Sequence, residues 1–315
     1  MQTRQTTSRA FRAYAWTFVG YLALVILFGA WVRITHSGAG CGDHWPTCHG
    51  EVVPFSPSVE TLIEYTHRLT SGVLGIMGLV LVGWAARVFG RKHRVFWGAV
   101  VTGVFIIFEA LIGAGLVLGE LVADDDSAAR AIVIAIHLVN TLTLMGAAAL
   151  TAWWAGGAPL PSWSRARGAL KWLFVAALAG VLVTSMSGAI TALGDTLFPV
   201  DPTAGSGLFE RVRGDLSPTK HFLVRLRIIH PVVAVLVSML LIALTTVVRT
   251  ATVPSTAKKG ALVLLAFVLV QLAAGALNIY MKAPGWMQIT HLLLAQAVWV
   301  ALLITGNEAL RSGDG

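Results

Sequence analysis

Residues 95–118 read VFWGAVVTGVFIIFEALIGAGLVL, an apolar run of 24 residues in which Glu109 is the only charged residue. A helix needs about 20 mostly apolar residues to cross the hydrocarbon core of a bilayer. The run is therefore long enough to span a membrane. It decides the fold class, because runs of the same kind recur on both sides of it.

Eight such runs predict eight transmembrane helices. They cover residues 13–32, 62–85, 95–118, 129–154, 170–191, 222–248, 261–280 and 286–304. These spans take up more than half of the 315 residues, so we expect no separate soluble domain. Composition agrees, since 56% of the residues are hydrophobic and 12% are charged, against about 25% charged in soluble domains. We predict an all-α polytopic membrane protein and exclude a soluble enzyme, a disordered chain and a disulfide-rich secreted domain.

The basic residues predict the orientation in the membrane. The net charge of +8 does not indicate nucleic-acid binding, because the basic residues lie in short gaps between apolar runs rather than on one soluble face. Eight spans put both termini on one side, and that side carries 14 of the 23 basic residues: Arg4, Arg9, Arg12, Arg87, Arg91, Lys92, Arg94, Arg165, Arg167, Lys171, Arg249, Lys258, Lys259 and Arg311. Cytoplasmic loops are enriched in such residues, so we predict cytoplasmic termini.

A weak internal repeat relates the two halves of the chain. The segment that begins Glu109-Ala-Leu-Ile-Gly-Ala resembles the one that begins Gln271-Leu-Ala-Ala-Gly-Ala. We predict two pseudo-symmetric four-helix bundles, residues 1–160 and 161–315, related by an axis along the membrane normal. Bundles of this kind build cofactor sites between facing helices.

Four of the nine histidines lie inside the predicted spans, all on even-numbered ones: His67, His137, His230 and His291. Each lies about four to eight residues below the outer surface, or roughly 6–12 Å along the helix. An ionisable residue inside the bilayer is costly and usually functional. Two histidines at matched depth in each half therefore predict a functional site in each half.

Paired histidines on two helices are what bis-imidazole ligation of a haem needs, with one ligand on each face of the iron. A zinc site is less favoured, because neither half offers a third or fourth ligand at the same depth. A proton relay or a transporter site remains an alternative. A transporter would favour broken helices, and here only Pro231, directly after His230, is expected to kink a span.

The two halves differ beside these histidines. Glu64 precedes His67 by three residues and shares its helix face, whereas Arg227 occupies the corresponding repeat position. A carboxylate beside a porphyrin can accept a proton or stabilise positive charge. This asymmetry predicts a reactive haem in the first half and a resident electron-transfer haem in the second. The alternative for Glu64 is an acid at the start of a helix, stabilised by the helix dipole.

Four arginines near the outer ends of the spans are candidate contacts for haem propionates: Arg33, Arg68, Arg225 and Arg227. Guanidinium groups bind carboxylates well. The alternative is that they only extend to the lipid headgroups.

Cys41 and Cys48 are the only two cysteines, and they lie in the first outer loop. A disulfide is reasonable on that oxidising side. Covalent haem attachment needs Cys-x-x-Cys-His, and Trp45 occupies the place of its first cysteine. A structural staple and a redox-active pair both remain open.

Three features of this sequence resemble haem A synthase of the bacterial, cysteine-containing type. They are Glu64-Tyr-Thr-His67-Arg68, the loop with Gly-Cys41-x6-Cys48 and Trp45-Pro46, and the span residues His137, His230 and His291. The resemblance covers essentially the whole chain. Some members carry a second cysteine pair in the later outer loop, whereas residues 192–221 here have none. That segment is expected to be a lid or, more simply, a connector.

The resemblance implies an oxidoreductase that converts the ring methyl of haem O to a formyl group, giving haem A for terminal oxidases. In that family His67 and His137 would ligate haem O, and His230 and His291 would ligate a haem b cofactor. Glu64 would be the catalytic carboxylate, and Cys41–Cys48 would form the disulfide. The alternative is a quinol-linked dihaem b-type membrane cytochrome that only transfers electrons.

The same resemblance implies the surroundings of the protein. Its candidate partners are haem O synthase, terminal oxidase assembly factors, an electron-transfer partner and membrane lipid. It would be a multi-pass protein of the bacterial plasma membrane, with its haem sites toward the outer face.

Overall fold

The computed structural model describes residues 2–162, 168–200 and 207–311, without the side chains of residues 2–7, 208, 209 and 211. In these ranges the regular structure is helical: α1 Gln2–Ile34, α2 Val59–Phe89, α3 Arg94–Leu118, α4 Ala128–Ala155, α5 Gly168–Leu197, α6 Leu208–Asp215, α7 Phe222–Leu226, α8 Ile229–Thr250, α9 Ser255–Tyr280 and α10 Gly285–Ala309, with a 3-10 turn at Ser37–Ala39. The predicted all-α class is confirmed. Arg165 and Arg167, counted in the charge asymmetry, lie outside the described residues, as does the side chain of Arg4.

Eight helical stretches in these ranges are long and apolar enough to cross a membrane, with α7 and α8 together forming the sixth. The eight predicted spans are therefore confirmed. The largest boundary difference is in α1, which begins at Gln2 rather than at residue 13, and α5 continues from the predicted end at residue 191 to Leu197. The predicted connector 192–221 thus begins inside a helix and includes α6, while residues 201–206 lie outside the described residues.

Short polar residues and a glycine mark the helix ends. The side chain of Ser58 accepts a hydrogen bond from the Thr61 amide at the start of α2, and Ser127 caps α4 through the Arg130 amide. Gly90 ends α2 with a φ of 82°, a conformation that favours glycine. These caps satisfy amides that a helix end leaves free.

The sixth span is broken, whereas the sequence predicted one run from 222 to 248. α7 ends at Leu226 and α8 begins at Ile229. A proline ring clashes with the carbonyl four residues earlier, which for Pro231 is that of Arg227. The expected kink at Pro231 therefore appears as a helix break just before His230.

Exposed aromatic side chains mark both membrane boundaries. We call the end of the molecule that carries the Cys41–Cys48 loop the loop face and the opposite end the terminal face. Trp31, Tyr280 and Trp286 are exposed at the loop face, and Trp97 and Trp172 at the terminal face. Such belts mark the two membrane–water interfaces.

The helices form two rings of four. In the first half, α1 packs on α2, α2 on α3, α3 on α4, and α4 on α1. In the second half, α5, α8, α9 and α10 pack in the same cyclic order. The rings meet where α4 packs against α5 and α10, and α1 packs against α10. This arrangement fits the predicted pair of four-helix bundles.

Polar contacts join the rings along α4 and α10. The Trp299 indole N–H donates to the Leu142 carbonyl at 2.6 Å. Gly146 makes this approach possible, since a Cβ there would lie 3.1 Å from Trp299 Nε1. Nearer the terminal face, Trp153 Nε1 donates to Glu308 Oε1 at 3.0 Å. The interface between the two rings is thus stabilised by hydrogen bonds from indole N–H groups as well as by apolar packing.

The main hydrophobic core occupies the terminal-face half of every span. Its members include Phe11, Phe18 and Leu22 of α1, Leu81 of α2, Leu144 and Met145 of α4, Phe174 of α5, Leu244 of α8, Leu264 of α9 and Leu302 of α10. The four span histidines lie beyond this core, toward the loop face. The bundles are therefore closed by packing at one end and carry polar groups at the other.

Candidate functional site

The four span histidines lie at similar depths. His67, His137, His230 and His291 follow the first residues of their spans, Val59, Ala128, Phe222 and Gly285, by 8, 9, 8 and 6 positions. This corresponds to roughly 9–14 Å along each helix. They are slightly deeper than predicted, because the helices begin before the apolar runs do.

The two second-half histidines face each other. The ring centroids of His230 and His291 are 6.4 Å apart, and the ring planes are nearly perpendicular at 88°. Two imidazoles that share a metal ion through bonds of about 2 Å have ring centres roughly 6 Å apart. The spacing therefore fits one iron held between them. In the first half, His67 and His137 are close enough to interact electrostatically.

Three of the span histidines have a ring nitrogen without a partner. The Nδ1 atoms of His67, His137 and His291 are buried and have no hydrogen-bond partner. A buried polar atom left unpaired costs about 1–3 kcal/mol. Haem iron binds a histidine through Nε2, which leaves Nδ1 for an outer partner, and none of the described residues supplies one to these three rings. The described residues contain no group of three or more His, Cys, Asp or Glu side chains placed to hold a metal ion, and a haem needs only two.

Glycines on the neighbouring helices lie against three of the histidines. A Cβ at Gly29 would be 3.1 Å from His67 Cε1, one at Gly188 would be 2.9 Å from His230 Cε1, and one at Gly275 would be 3.1 Å from His291 Cε1. Each imidazole therefore rests on bare helix backbone. Sequence analysis missed this role, although Gly275 lies in the repeat segment that begins at Gln271.

Glu64 is buried, with 4% of the residue exposed. Its Oε1 accepts a hydrogen bond from Arg68 Nε at 3.0 Å, and a second Arg68 nitrogen pairs with the same oxygen. Its Oε2 accepts the backbone N–H of Cys41 at 2.9 Å. An acid that merely caps an exposed helix end would be solvated. The observed carboxylate is instead held at both oxygens, which fixes its orientation.

A disulfide loop closes over this carboxylate. Cys41 and Cys48 form the predicted disulfide, and both residues are fully buried. Arg68 donates to the carbonyls of His44, at 2.7 Å, and Thr47, at 2.5 Å, inside the loop. The loop thus supplies one donor to Glu64 directly and holds the arginine that supplies the others. The burial favours a structural staple over a directly accessible redox pair.

Two candidate propionate arginines meet around Asp195, a carboxylate that sequence analysis passed over. Arg227 Nε lies 3.0 Å from Asp195 Oδ1, and Arg33 interacts electrostatically with the same group. Arg33 also donates to Gln288 Oε1 at 3.0 Å. Arg225, in contrast, is exposed. The cluster links α1 of the first half to α5 and the sixth span of the second.

Comparison with known proteins points to one family. The family model COX15-CtaA, described as "Cytochrome oxidase assembly protein", matches residues 12–303. Two relatives from strains of Thermus thermophilus, each named "Protoheme IX farnesyltransferase", are 46% identical over 301 residues. Those matches cover 95% of this chain and 48% of each relative, so the chain spans about half the length of these relatives.

Shorter matches extend to proteins named "Heme A synthase". One from Halalkalibacterium halodurans is 45% identical over 97 residues, which is 31% of this chain and 33% of that protein. One from Exiguobacterium sibiricum is 39% identical over 99 residues, with 31% of this chain and 33% of that protein covered.

Proposed function

The chain belongs to the COX15-CtaA family of cytochrome oxidase assembly proteins, and from this premise we propose that it is a haem A synthase, which oxidises a ring methyl group of haem O to a formyl group. The observation that carries the proposal is the buried, doubly held carboxylate of Glu64 in one half only. A protein that only transfers electrons has no need of such a group beside one of its two haems.

The proposed ligands are one histidine pair in each half. His67 and His137, in residues 1–160, hold the substrate haem O, and His230 and His291, in residues 161–315, hold haem b. The 6.4 Å spacing of the second pair supports this assignment. Haem b, when bound, supplies one-electron transfer.

Glu64 is the proposed proton acceptor and electrostatic partner of the oxidised methyl carbon. With water as the source of the oxygen atom, oxidation of a methyl group through an alcohol and a gem-diol to an aldehyde releases protons and electrons in equal number, and a fixed carboxylate can take up the protons one at a time. Arg68 and the Cys41 amide keep its two oxygens in place, so no reorganisation is needed when charge develops. In this proposal they position Glu64, and Arg68 is engaged with it rather than with a propionate.

The surroundings follow from the same proposal. The relatives named protoheme IX farnesyltransferase support a functional link between this chain and the enzyme that farnesylates haem and so provides haem O. The product serves terminal oxidases and their assembly factors, and an electron-transfer partner removes the electrons. The charge asymmetry supports a plasma-membrane protein with cytoplasmic termini and haem sites toward the outer face.

The test is a Glu64→Gln variant produced together with a haem O source, followed by chromatography of the extracted haems. We expect normal haem content with haem A lost by about 100-fold or more, since general acid–base groups contribute about 10²–10⁴-fold. Glu60→Gln is the matched control, because Glu60 lies one turn earlier on α2 and is exposed. Normal haem A from the Glu64 variant would remove its assigned role. If the wild type binds two haems but leaves haem O unconverted, the dihaem cytochrome replaces the synthase.

A further inference from the structure

His230 has a hydrogen-bond partner on Nδ1, the ring nitrogen that points away from a metal bound at Nε2. This Nδ1 lies 3.1 Å from Oγ of Ser187 on α5. Among the described residues, none supplies such a partner to the Nδ1 atoms of His67, His137 and His291. His230 therefore differs from the other three span histidines in what holds its ring.

The hydrogen bonds of Ser187 determine which nitrogen of His230 carries the proton. Ser187 Oγ donates its hydrogen to the Thr184 carbonyl at 2.8 Å. A hydroxyl has a single O–H donor, so toward the imidazole Ser187 acts as an acceptor. Nδ1 of His230 is then the N–H group, and Nε2 keeps a free lone pair. The hydrogen bond at one ring nitrogen thus leaves the other ready to bind a metal.

The face of the same ring is supported by the next residue of α5. A Cβ at Gly188 would lie 2.9 Å from His230 Cε1, so the imidazole packs directly on the helix backbone there. Two neighbouring residues of one helix therefore hold His230. Ser187 fixes one ring nitrogen by a hydrogen bond, and Gly188 fixes the plane of the ring by contact.

The first half has a phenylalanine at the corresponding place. Gly29 lies against His67 as Gly188 lies against His230, and the residue before Gly29 is Phe28. The Phe28 and His67 rings meet edge to face, with centroids 5.6 Å apart and planes at 81°. An aromatic ring is at most a weak acceptor for an N–H group. His67 is thus held by packing alone.

Groups that bind the outer nitrogen of a metal-bound histidine fix its tautomer and orientation and raise its basicity. Loss of such a group typically costs about 10–100-fold in metal affinity. Axial ligation and its hydrogen bonds are also among the main determinants of haem potential. Ser187 therefore strengthens one of the two second-half ligands in a way that Phe28 cannot match in the first half.

We propose that Ser187 is a positioning residue that makes the second-half haem the firmly retained one of the two, whereas Phe28 leaves the first-half haem free to exchange. The inference rests on the proposed haem ligands. It gives the proposed division of roles a physical basis, because a converted haem has to leave its site and a resident haem has to stay.

The experiment measures haem loss from purified, haem-loaded protein to an excess of haem-free globin, which traps released haem. In the wild type, the first-half haem is lost first. Ser187→Ala loses the second-half haem about 10-fold faster, and the midpoint potential of that haem rises because the ligand is less basic. Ser187→Thr keeps the hydroxyl and restores both values. The spectrum of His67→Ala, which keeps only the second-half haem, identifies the bands.

Ser71→Ala is the matched control, because Ser71 Oγ donates to the backbone carbonyl of His67 at 2.8 Å and not to its ring. It loses both haems at the wild-type rates. Earlier loss of the second-half haem in the wild type would overturn the inference, as would wild-type loss and potential in Ser187→Ala. An equal effect of Ser71→Ala would also overturn it, since general loosening of the helices would then explain the change.

A second variant decides if Ser187→Ala cannot be isolated with haem. Ser187→Cys has a similar size, and sulfur is a weak acceptor. Faster loss of the second-half haem from Ser187→Cys supports the inference, and unchanged loss overturns it.

The haem content of His230→Ala separates this inference from the proposed function. If that variant keeps both haems, the proposed ligands are wrong. If it loses one haem while Ser187→Ala behaves as the wild type, only the present inference fails.

Discussion

Both four-helix halves have a histidine pair with at least one ring resting on a glycine, yet they surround the histidines with different charges. In the first half, Glu64 accepts hydrogen bonds from Arg68 and from the Cys41 amide of the disulfide loop. In the second, the corresponding position carries Arg227, which pairs with Asp195 instead. The scaffold is thus duplicated, while a few charged side chains at the loop face differ. In the proposed synthase, the two halves would differ in reactivity through the neighbours of the histidines, because both halves have a histidine pair.

Among the tests of this comparison, removing one histidine is expected to have the largest effect. We expect His230→Ala and His291→Ala to lose the second-half haem completely, and His67→Ala to lose the first-half haem, because one imidazole cannot complete the pair. Optical spectra and extracted haem per chain measure the loss. A variant of His230 with an unchanged low-spin spectrum would contradict the assignment of that half.

Breaking the disulfide tests the feature that only the first half has. The cross-link joins cysteines seven residues apart, and closing so short a loop contributes about 2–3 kcal/mol. We expect the double variant Cys41→Ser/Cys48→Ser to bind both haems but to make far less haem A, because the Cys41 amide no longer holds Glu64.

Each single serine variant should show the same defect, since both break the same loop. Full haem A yield from the double variant would show that Glu64 does not depend on the loop. Loss of the second-half haem would also contradict the expectation, because the described hydrogen bonds from the loop to Glu64 and Arg68 lie in the first half.

Adding one methyl group beside a histidine tests what the halves share. Gly188→Ala places a Cβ 2.9 Å from the His230 ring, and Gly29→Ala places one 3.1 Å from the His67 ring. Overpacking of this kind costs about 1–3 kcal/mol. We expect each variant to retain less haem in its own half during purification, with the stronger effect at Gly188.

Gly20→Ala is the control on α1, because no atom lies within 4 Å of its added Cβ. It should retain haem normally, and its stability should be equal or slightly higher, as alanine favours helix. Equal haem retention in all three variants would show that the close approach of the glycines is unimportant.

Much of the fold could be predicted because apolar length and helix periodicity are local properties. The eight spans and the depth of the histidines followed from counting residues along single runs. Pro231 predicted a kink in the sixth span. The position of the break before Ile229 depends on the clash with the Arg227 carbonyl, which arises only in the folded helix. The end of α5 at Leu197 was missed, since polar residues such as Thr191 and Asp195 end an apolar run without ending a helix.

The surroundings of the site were less predictable because they depend on contacts between distant segments. The pairing of Asp195 with Arg227 requires α5 to pack against the sixth span. The amide of Cys41 meets Glu64 only because the outer loop folds back over α2. The glycine contacts were partly accessible, since Gly275 lies in the repeat, but only packing shows which histidine each one faces.

Because the hydrophobic core lies toward the terminal face, the two ends of the molecule differ in how densely they are packed. Apolar side chains such as Phe18, Phe174 and Leu264 are fully or almost fully buried in the terminal-face half of the spans. A dense apolar plug of this kind conducts neither water nor protons. In the proposed mechanism, protons leaving Glu64 would therefore exit through the loop face, and the compartment beyond the terminal face would be insulated from the chemistry. Turnover would be vectorial: it would acidify one side of the membrane only.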